Sequence, residues 1–282
     1  MTTTGTGAAI PRLRCDDLSE LSLMPAARWP SRLWIVRHGQ SAGNVARDLA
    51  DAAGAERIDV SGRDVDVPLS AMGEEQARGL GRWFAGPSKS GAVDARPEIV
   101  LVSPYLRARQ TAELFRAEGG CDPALSLCHD ERLREKEFGI LDGLTGAGIR
   151  ALQPDQAEFR RLLGKFYHRP PGGESWCDVI FRLRSLMDTV ALHHGGQRVM
   201  IVAHQVVVLC LRYIIEGLSE EEILAIDRAG DVANCSVTEY AFDPTASGDG
   251  GLTLVRYNAV AAVEESAAPV TSAPDAVVAA RG

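Results

Sequence analysis

Three short apolar runs, each breaking off into polar residues, constrain this chain more than any other feature. They are "LWIV" at 33–36, "EIVLV" at 98–102 and "RVMIVA" at 198–203, followed by "RHG", "SPYLRAR" and "HQ". Continuous runs of this length, rich in Val and Ile, suit strands buried on both faces, as in a parallel sheet covered by helices. A core strand has no use for an arginine and a histidine, because burying them unpaired is costly. A strand end facing a crevice does, since open α/β sheets bind ligands at the carboxyl ends of their strands.

Helical patterns lie between the runs. Residues 73–84 place their apolar side chains on one face, and Pro104 precedes a helical stretch over 105–117. Ser175, with Asp178 three residues on, caps a further helix that ends near His193 and His194, and "VVVLCLRYIIEGL" follows the third run. "SVTEYAF" and "LTLVRY" read as two strands joined by a turn-rich segment. The expected fold is a three-layer α/β/α sandwich with a mostly parallel central sheet, spanning residues 31–258. Residues 1–30 read as an extension. Residues 259–282, rich in Ala, Val, Pro and Ser, read as a low-complexity disordered tail.

Composition narrows the partners. The net charge is −8 and the pI about 5.3, which argues against a nucleic-acid binder held by a general basic field. No apolar run approaches the length of a membrane span, and no signal peptide is read at the N-terminus, so a cytoplasmic protein without membrane partners is expected. The six cysteines form no C-x-x-C pair and are expected as reduced thiols. Cys121, Cys128 and His129 fit no zinc spacing, so no metal or other cofactor is expected. Any anionic ligand must therefore be held by a local cluster of positive groups.

Several short phosphate motifs fail on context. "CHDERLR" has the cysteine-phosphatase spacing between Cys128 and Arg134, but Asp130 and Glu131 would repel a phosphate dianion. "DVDVP" at 64–68 lacks a preceding apolar strand, and neither a nucleotide P-loop nor a dinucleotide fingerprint is present. What survives is distributed. The three strand ends deliver Arg37 and His38, Arg107, and His204, and the polar loop "RLREKEFGILDG" between the second and third carries Glu135 and Glu137.

"RHGQSAGN", "DVPLSAMGEEQA", "SPYLRARQTA" and "LREKEFGILDG", in that order and followed by "AHQ", resemble the successive motifs of the histidine phosphatase superfamily, the phosphoglycerate-mutase-like proteins. The resemblance covers residues 33–205. It implies a phosphoglycerate mutase-like fold and metal-independent phosphoryl transfer through a phosphohistidine. His38 matches the nucleophile, Arg37 and Arg107 the phosphate-clamping arginines, His204 the second histidine, Glu135 the proton donor, and Asn44 a polar residue touching the phosphate. The chemistry is compatible. A neutral imidazole is a competent nucleophile, and phosphoryl transfer needs mainly positioning and charge stabilisation.

Two departures stand out. Gln205 follows His204 where the family usually has glycine, and the segment from His38 to Pro68 is about ten residues longer than in compact members, so 46–64 reads as a helix and loop over the site. Lys165 and Arg169, before a Pro-Pro-Gly-Gly turn, either bind the non-transferred anionic part of a substrate or belong to a surface connector. Ser41, Asn44, Gln205, Lys165 and Arg169 are thus the candidate substrate contacts. The expected activity is a phosphomonoesterase acting on a small anionic phosphate ester. A phosphoglycerate mutase is the first alternative, and a non-catalytic phospho-ligand-binding module the second. Glu135 and His204 are 69 positions apart, and the segment between them lacks the mutases' Trp-Arg-Arg block, which favours the phosphatase.

Overall fold

The three apolar runs become three adjacent strands at the centre of one sheet. The computed structural model describes residues 28–86, 96–246, 250–265 and 268–272. In it β1 (Arg32–Arg37), β2 (Ile99–Val102), β3 (Leu127–His129) and β4 (Arg198–Ala203) run parallel, while β5 (Val237–Asp243) and β6 (Gly251–Ala259) are antiparallel. The strand order is β3-β2-β4-β1-β5-β6. The chain therefore steps outward from β1 to β2 and β3, then returns to insert β4 beside β1. That reversal opens a crevice at the carboxyl ends of the central strands.

Register decides what meets there. Arg37 pairs with Ala203 and Val102 with Val202. His38, Ser103 and His204, each one residue past its strand, consequently leave the sheet side by side. The His38 amide still donates to the Ala203 carbonyl at 2.9 Å, and the Ser103 amide to the Val202 carbonyl at 3.0 Å.

Alternation along β1 builds two cores. Leu33 and Ile35 pack with Leu183, Leu186 and Val190 of α6 (Trp176–His193) and Leu209 of α7 (Gln205–Glu216). Trp34 and Val36 face the opposite way, onto Leu80 and Phe84 of α2 (Ala71–Ala85) and Phe115 of α3 (Leu106–Ala117). Phe84 meets Trp34 and Phe115 edge-on, with ring centroids 5.4 and 5.3 Å apart. Each face of the sheet is thus covered, giving the three expected layers. The remaining helices are α1 (Ala42–Ala52), α4 (Gly146–Leu152), α5 (Pro154–Tyr167), α8 (Glu220–Ala229) and α9 (Ala261–Glu265). Ser175 caps α6 through a capping box with Asp178, as its spacing suggests.

The ends of the chain correct two boundaries. Trp29 already packs against the first core, so the domain begins slightly before residue 31. The expectation of a disordered tail from 259 fails over its first part. Ala259 ends β6, and α9 follows with Ala262 and Val263 buried, Val263 against Leu69, Ala77 and Cys235. Two apolar side chains, with backbone bonds further on, are enough to hold a short segment that composition alone marks as disordered. The remainder of both expectations, residues 1–27, 266–267 and 273–282, lies outside the described residues.

Candidate active site

Everything at the crevice is arranged around residues 37–40. The His38 Nδ1 lies 2.6 Å from the Gly39 carbonyl oxygen. A carbonyl only accepts, so Nδ1 carries the proton and Nε2 presents its lone pair to the crevice. Nε2 accepts from the Arg107 Nε at 3.3 Å. The Gly39 amide donates to the Thr111 hydroxyl of α3 at 3.1 Å, and the Gln40 amide to the Gln76 side chain of α2 at 2.9 Å. Helix α2 comes this close because of Gly39 and Gly73. A Cβ on Gly39 would sit 2.4 Å from the Gly73 carbonyl oxygen, and one on Gly73 only 1.9 Å from that of Gln40.

Arg37, the residue before this histidine, and Arg107 are both buried. Arg37 donates to the Val232 carbonyl. Arg107 presents its fork to Asp64, with Nη1 at 3.0 Å and Nη2 at 3.1 Å from the two carboxylate oxygens, and Nη1 also reaches the Asp64 carbonyl at 2.7 Å. Asp64 belongs to the long segment between His38 and Pro68, which therefore does reach the site. A carboxylate bidentate on this guanidinium occupies the geometry a phosphate would use.

On the other side His204 donates to or accepts from the Ser103 hydroxyl at 2.7 Å, and its ring lies 5.1 Å from that of His38. Tyr105 stacks edge-on against His204 at 5.0 Å and lies under the Arg107 guanidinium at 4.9 Å. The Tyr105 hydroxyl donates to Glu137 at 3.0 Å, tying the acidic loop to the site. Burial, with Glu137 and Asp64 nearby, pushes the phenol well above its ordinary range, so it stays protonated. In the loop itself Glu135 is buried and accepts from the Lys136 amide at 2.7 Å, while Glu137 is exposed. Burial raises the pKa of the nearby Asp142, with Asp64 and Glu137 adding to the effect, so three carboxylates gather on the Arg107 side.

The other candidate contacts divide. Ser41 and Asn44 are buried at the start of α1 and form its capping box, with the Asn44 amide 3.1 Å from the Ser41 hydroxyl and the Ser41 amide 2.8 Å from the Asn44 side chain. Gln205 opens α7 beside His204 and donates to Asp231 at 2.9 Å. Lys165 is largely buried and donates to Asp227 at 2.5 Å. Arg169 is corrected: its exposed side chain donates to Asp178 at 2.7 Å and so supports the α6 cap rather than reaching the crevice. Asp64, Ser103, Tyr105 and Thr111 were not singled out from sequence. Ser103 and Tyr105 stood inside "SPYLRAR", and their position one and three residues past β2 was the available signal.

Lys136, next to Glu135, is also buried and lies 4.1 Å over the Phe138 ring. Burial, aided by the neighbouring Arg160, lowers its pKa from 10.5 to about 8. His168 is lowered too, by burial and by Arg160 and Lys136. Burial also lowers Lys165, with Arg160 contributing and Asp227 opposing. Four basic groups thus gather around the loop and α5. Among the described residues, no cluster of His, Cys, Asp and Glu could hold a metal ion, and no helix is long and apolar enough to cross a membrane.

Fold and crevice together define an α/β enzyme of phosphoryl transfer, with an imidazole lone pair facing the Arg107 guanidinium at a strand-order reversal. The chain belongs to the histidine phosphatase superfamily, branch 1, whose profile matches residues 33–259. It is 31% identical over 201 residues to a 2,3-bisphosphoglycerate-dependent phosphoglycerate mutase of a Methylobacterium species, covering 69% of this chain and 85% of that one. It is 28% identical over 209 residues to a Serratia proteamaculans protein named "Probable phosphoglycerate mutase GpmB", covering 73% and 83%. Among solved structures, mycobacterial glucosyl-3-phosphoglycerate phosphatase with inorganic phosphate superimposes with a TM-score of 0.60 at 26% identity, over 83% of this chain and 99% of that one.

Two outcomes follow from these contacts. Asp64→Asn removes the anion that competes for Arg107, so inorganic phosphate should inhibit the variant with a Ki lower by about tenfold, the size of one charge-assisted contact. An unchanged or higher Ki would make Asp64 a support for Arg107 instead. Lys136 has a lowered pKa in the fold, so the unfolded chain binds the extra proton between about pH 8 and 10.5, and its contribution makes stability rise with pH across that window. Lys136→Met should therefore stabilise the protein at pH 7 by at most about 3 kcal/mol. Denaturant titrations of both proteins at pH 7 and pH 10 should show that gap shrinking; an equal gap at both pH values would contradict it.

Proposed function

We propose that the chain is a metal-independent phosphomonoesterase acting through a phosphohistidine on His38. The observation that carries this reading is the Nδ1 bond to the Gly39 carbonyl, which leaves Nε2 as the nucleophilic nitrogen beside Arg107. Nε2 attacks phosphorus while the ester P–O bond breaks, and Arg37 and Arg107 hold the phosphoryl oxygens. Glu135 gives its proton to the leaving oxygen. The resulting carboxylate then takes a proton from water as that water attacks the phosphohistidine, restoring His38 and releasing phosphate. His204 contributes positive charge or a hydrogen bond to the same oxygens.

Hydrolysis is favoured over mutase transfer by the carboxylates on the Arg107 side. Asp64, Glu137 and Asp142 oppose a second phosphate there. The substrate's non-transferred end is instead directed toward Lys165, Arg160, Lys136 and His168. Asp227 bonds Lys165, and Asp231, which lowers the cost of the Lys165 charge, bonds Gln205 beside His204. A small ester whose alcohol carries a carboxylate or similar anion suits this asymmetry. Two of the relatives named above act on phosphoglycerates or their glucosyl ester by name, in keeping with that chemistry.

A panel of phosphomonoesters tests the reading, with carboxylate-bearing alkyl phosphates beside neutral ones and bisphosphoglycerate-stimulated mutase activity assayed alongside. Release of inorganic phosphate, fastest from the acidic esters and unaffected by EDTA, is expected. Mutase turnover exceeding hydrolysis would contradict it. Glu135→Gln should lower kcat/KM for alkyl phosphates by about 10²–10⁴-fold and spare p-nitrophenyl phosphate, whose leaving group needs little protonation. Glu137→Gln should show no such discrimination; the reverse pattern would move the acid to Glu137.

A further inference from the structure

The C-terminal segment beyond residue 259, where the family match ends, closes a circuit of hydrogen bonds around the residues that carry His38. Starting from the loop, the Gln40 amide donates to the Gln76 Oε1 at 2.9 Å. That bond fixes the Gln76 side-chain orientation, leaving Nε2 to donate to the Thr271 hydroxyl at 2.9 Å and to the Pro269 carbonyl at 2.9 Å. The Thr271 hydroxyl donates to the Asn234 Oδ1 at 3.0 Å. Asn234 completes the circuit, its Nδ2 donating to the His38 carbonyl at 3.0 Å. Every donor points the same way around, the arrangement in which successive bonds polarise one another.

Gln76 and Asn234 are fully buried, so Thr271 joins two polar groups that the fold has withdrawn from water. The backbone supports the contact, because the Asn234 amide donates to the Thr271 carbonyl at 2.7 Å. Next to it Cys235, at a φ of 53° unusual for a residue with a side chain, donates its amide to the Arg37 carbonyl at 3.0 Å. Gln76 and Asn234 thus grip residues 37–40 from two sides, and the Gly39 carbonyl that orients the imidazole lies between their attachment points. Helix α9, anchored by Val263, carries the chain toward this position.

We propose that Thr271 is a positioning residue of the active site, acting through Gln76 and Asn234 to hold the His38–Gln40 backbone in the geometry that presents Nε2. The inference rests on His38 being the nucleophile. Thr271→Val keeps the shape and the backbone bond and removes only the hydroxyl, whereas Thr271→Ser keeps the hydroxyl. The valine variant should lose about tenfold in kcat with KM within twofold of the parent, and the serine variant should recover most of it. Independently of turnover, the proton on the His38 Nδ1 should give a downfield proton resonance, assigned through its absence in His38→Ala. That resonance should shift or broaden in Thr271→Val and return in Thr271→Ser. A parent with this resonance but no esterase activity would overturn the functional reading and leave the positioning role to be decided by the resonance. An unperturbed resonance in Thr271→Val, or serine as damaging as valine, would overturn the positioning role itself.

Discussion

The carbonyl of Gly39 can only accept a hydrogen bond, and from that the chemistry of the crevice follows. With Nδ1 held at 2.6 Å, the His38 ring has one tautomer and one orientation, and its second nitrogen meets the Arg107 guanidinium. The bond forms where the chain leaves β1, in residues 38–40, which belong to no strand or helix. That stretch is held by Thr111, Gln76, Asn234 and the Cys235 amide, from α3, α2 and the chain before β5. It fits beneath α2 only because Gly39 and Gly73 lack side chains.

The sheet supplies the second constraint. Placing β4 between β2 and β1 sets His204 next to both Ser103 and His38, so residues more than 150 positions apart in sequence share one pocket. Charged groups buried this deeply must be paired. Arg37 uses a carbonyl, Arg107 uses Asp64 and His38, and Glu135 uses a backbone amide. Asp64 thus sits on the Arg107 fork in the geometry a phosphate would use.

Much of this was legible from sequence, for identifiable reasons. Strands β1, β2 and β4 are buried on both faces, so their apolar runs are continuous, and the polar residues that end them are the site. Strand β3 was not anticipated because Cys128 and His129 are exposed, leaving no apolar pattern to read. Spacing does not choose between Glu135 and Glu137; in the structure they differ in that Glu135 is buried and Glu137 exposed. For Arg169 the sequence leaves a substrate contact and a surface connector open, and its bond to Asp178 accords with the connector. The contacts of Asp64 and Thr271 are invisible in any window of sequence: each depends on a partner 37 or more positions away and on side chains that form no periodic pattern. The start of the tail illustrates the limit of composition, since its described part carries two buried apolar side chains, Ala262 and Val263, and polar bonds at Pro269 and Thr271.

The central claim, that Nε2 of His38 is the atom that takes the phosphoryl group, is open to one direct measurement. Protein quenched in alkali during turnover preserves a phosphohistidine, and heteronuclear NMR of the digested, isolated phosphopeptide distinguishes the two ring positions. The geometry predicts phosphorus on Nε2 of His38 and none on Nδ1. Phosphorus on Nδ1, or on His204, would contradict it.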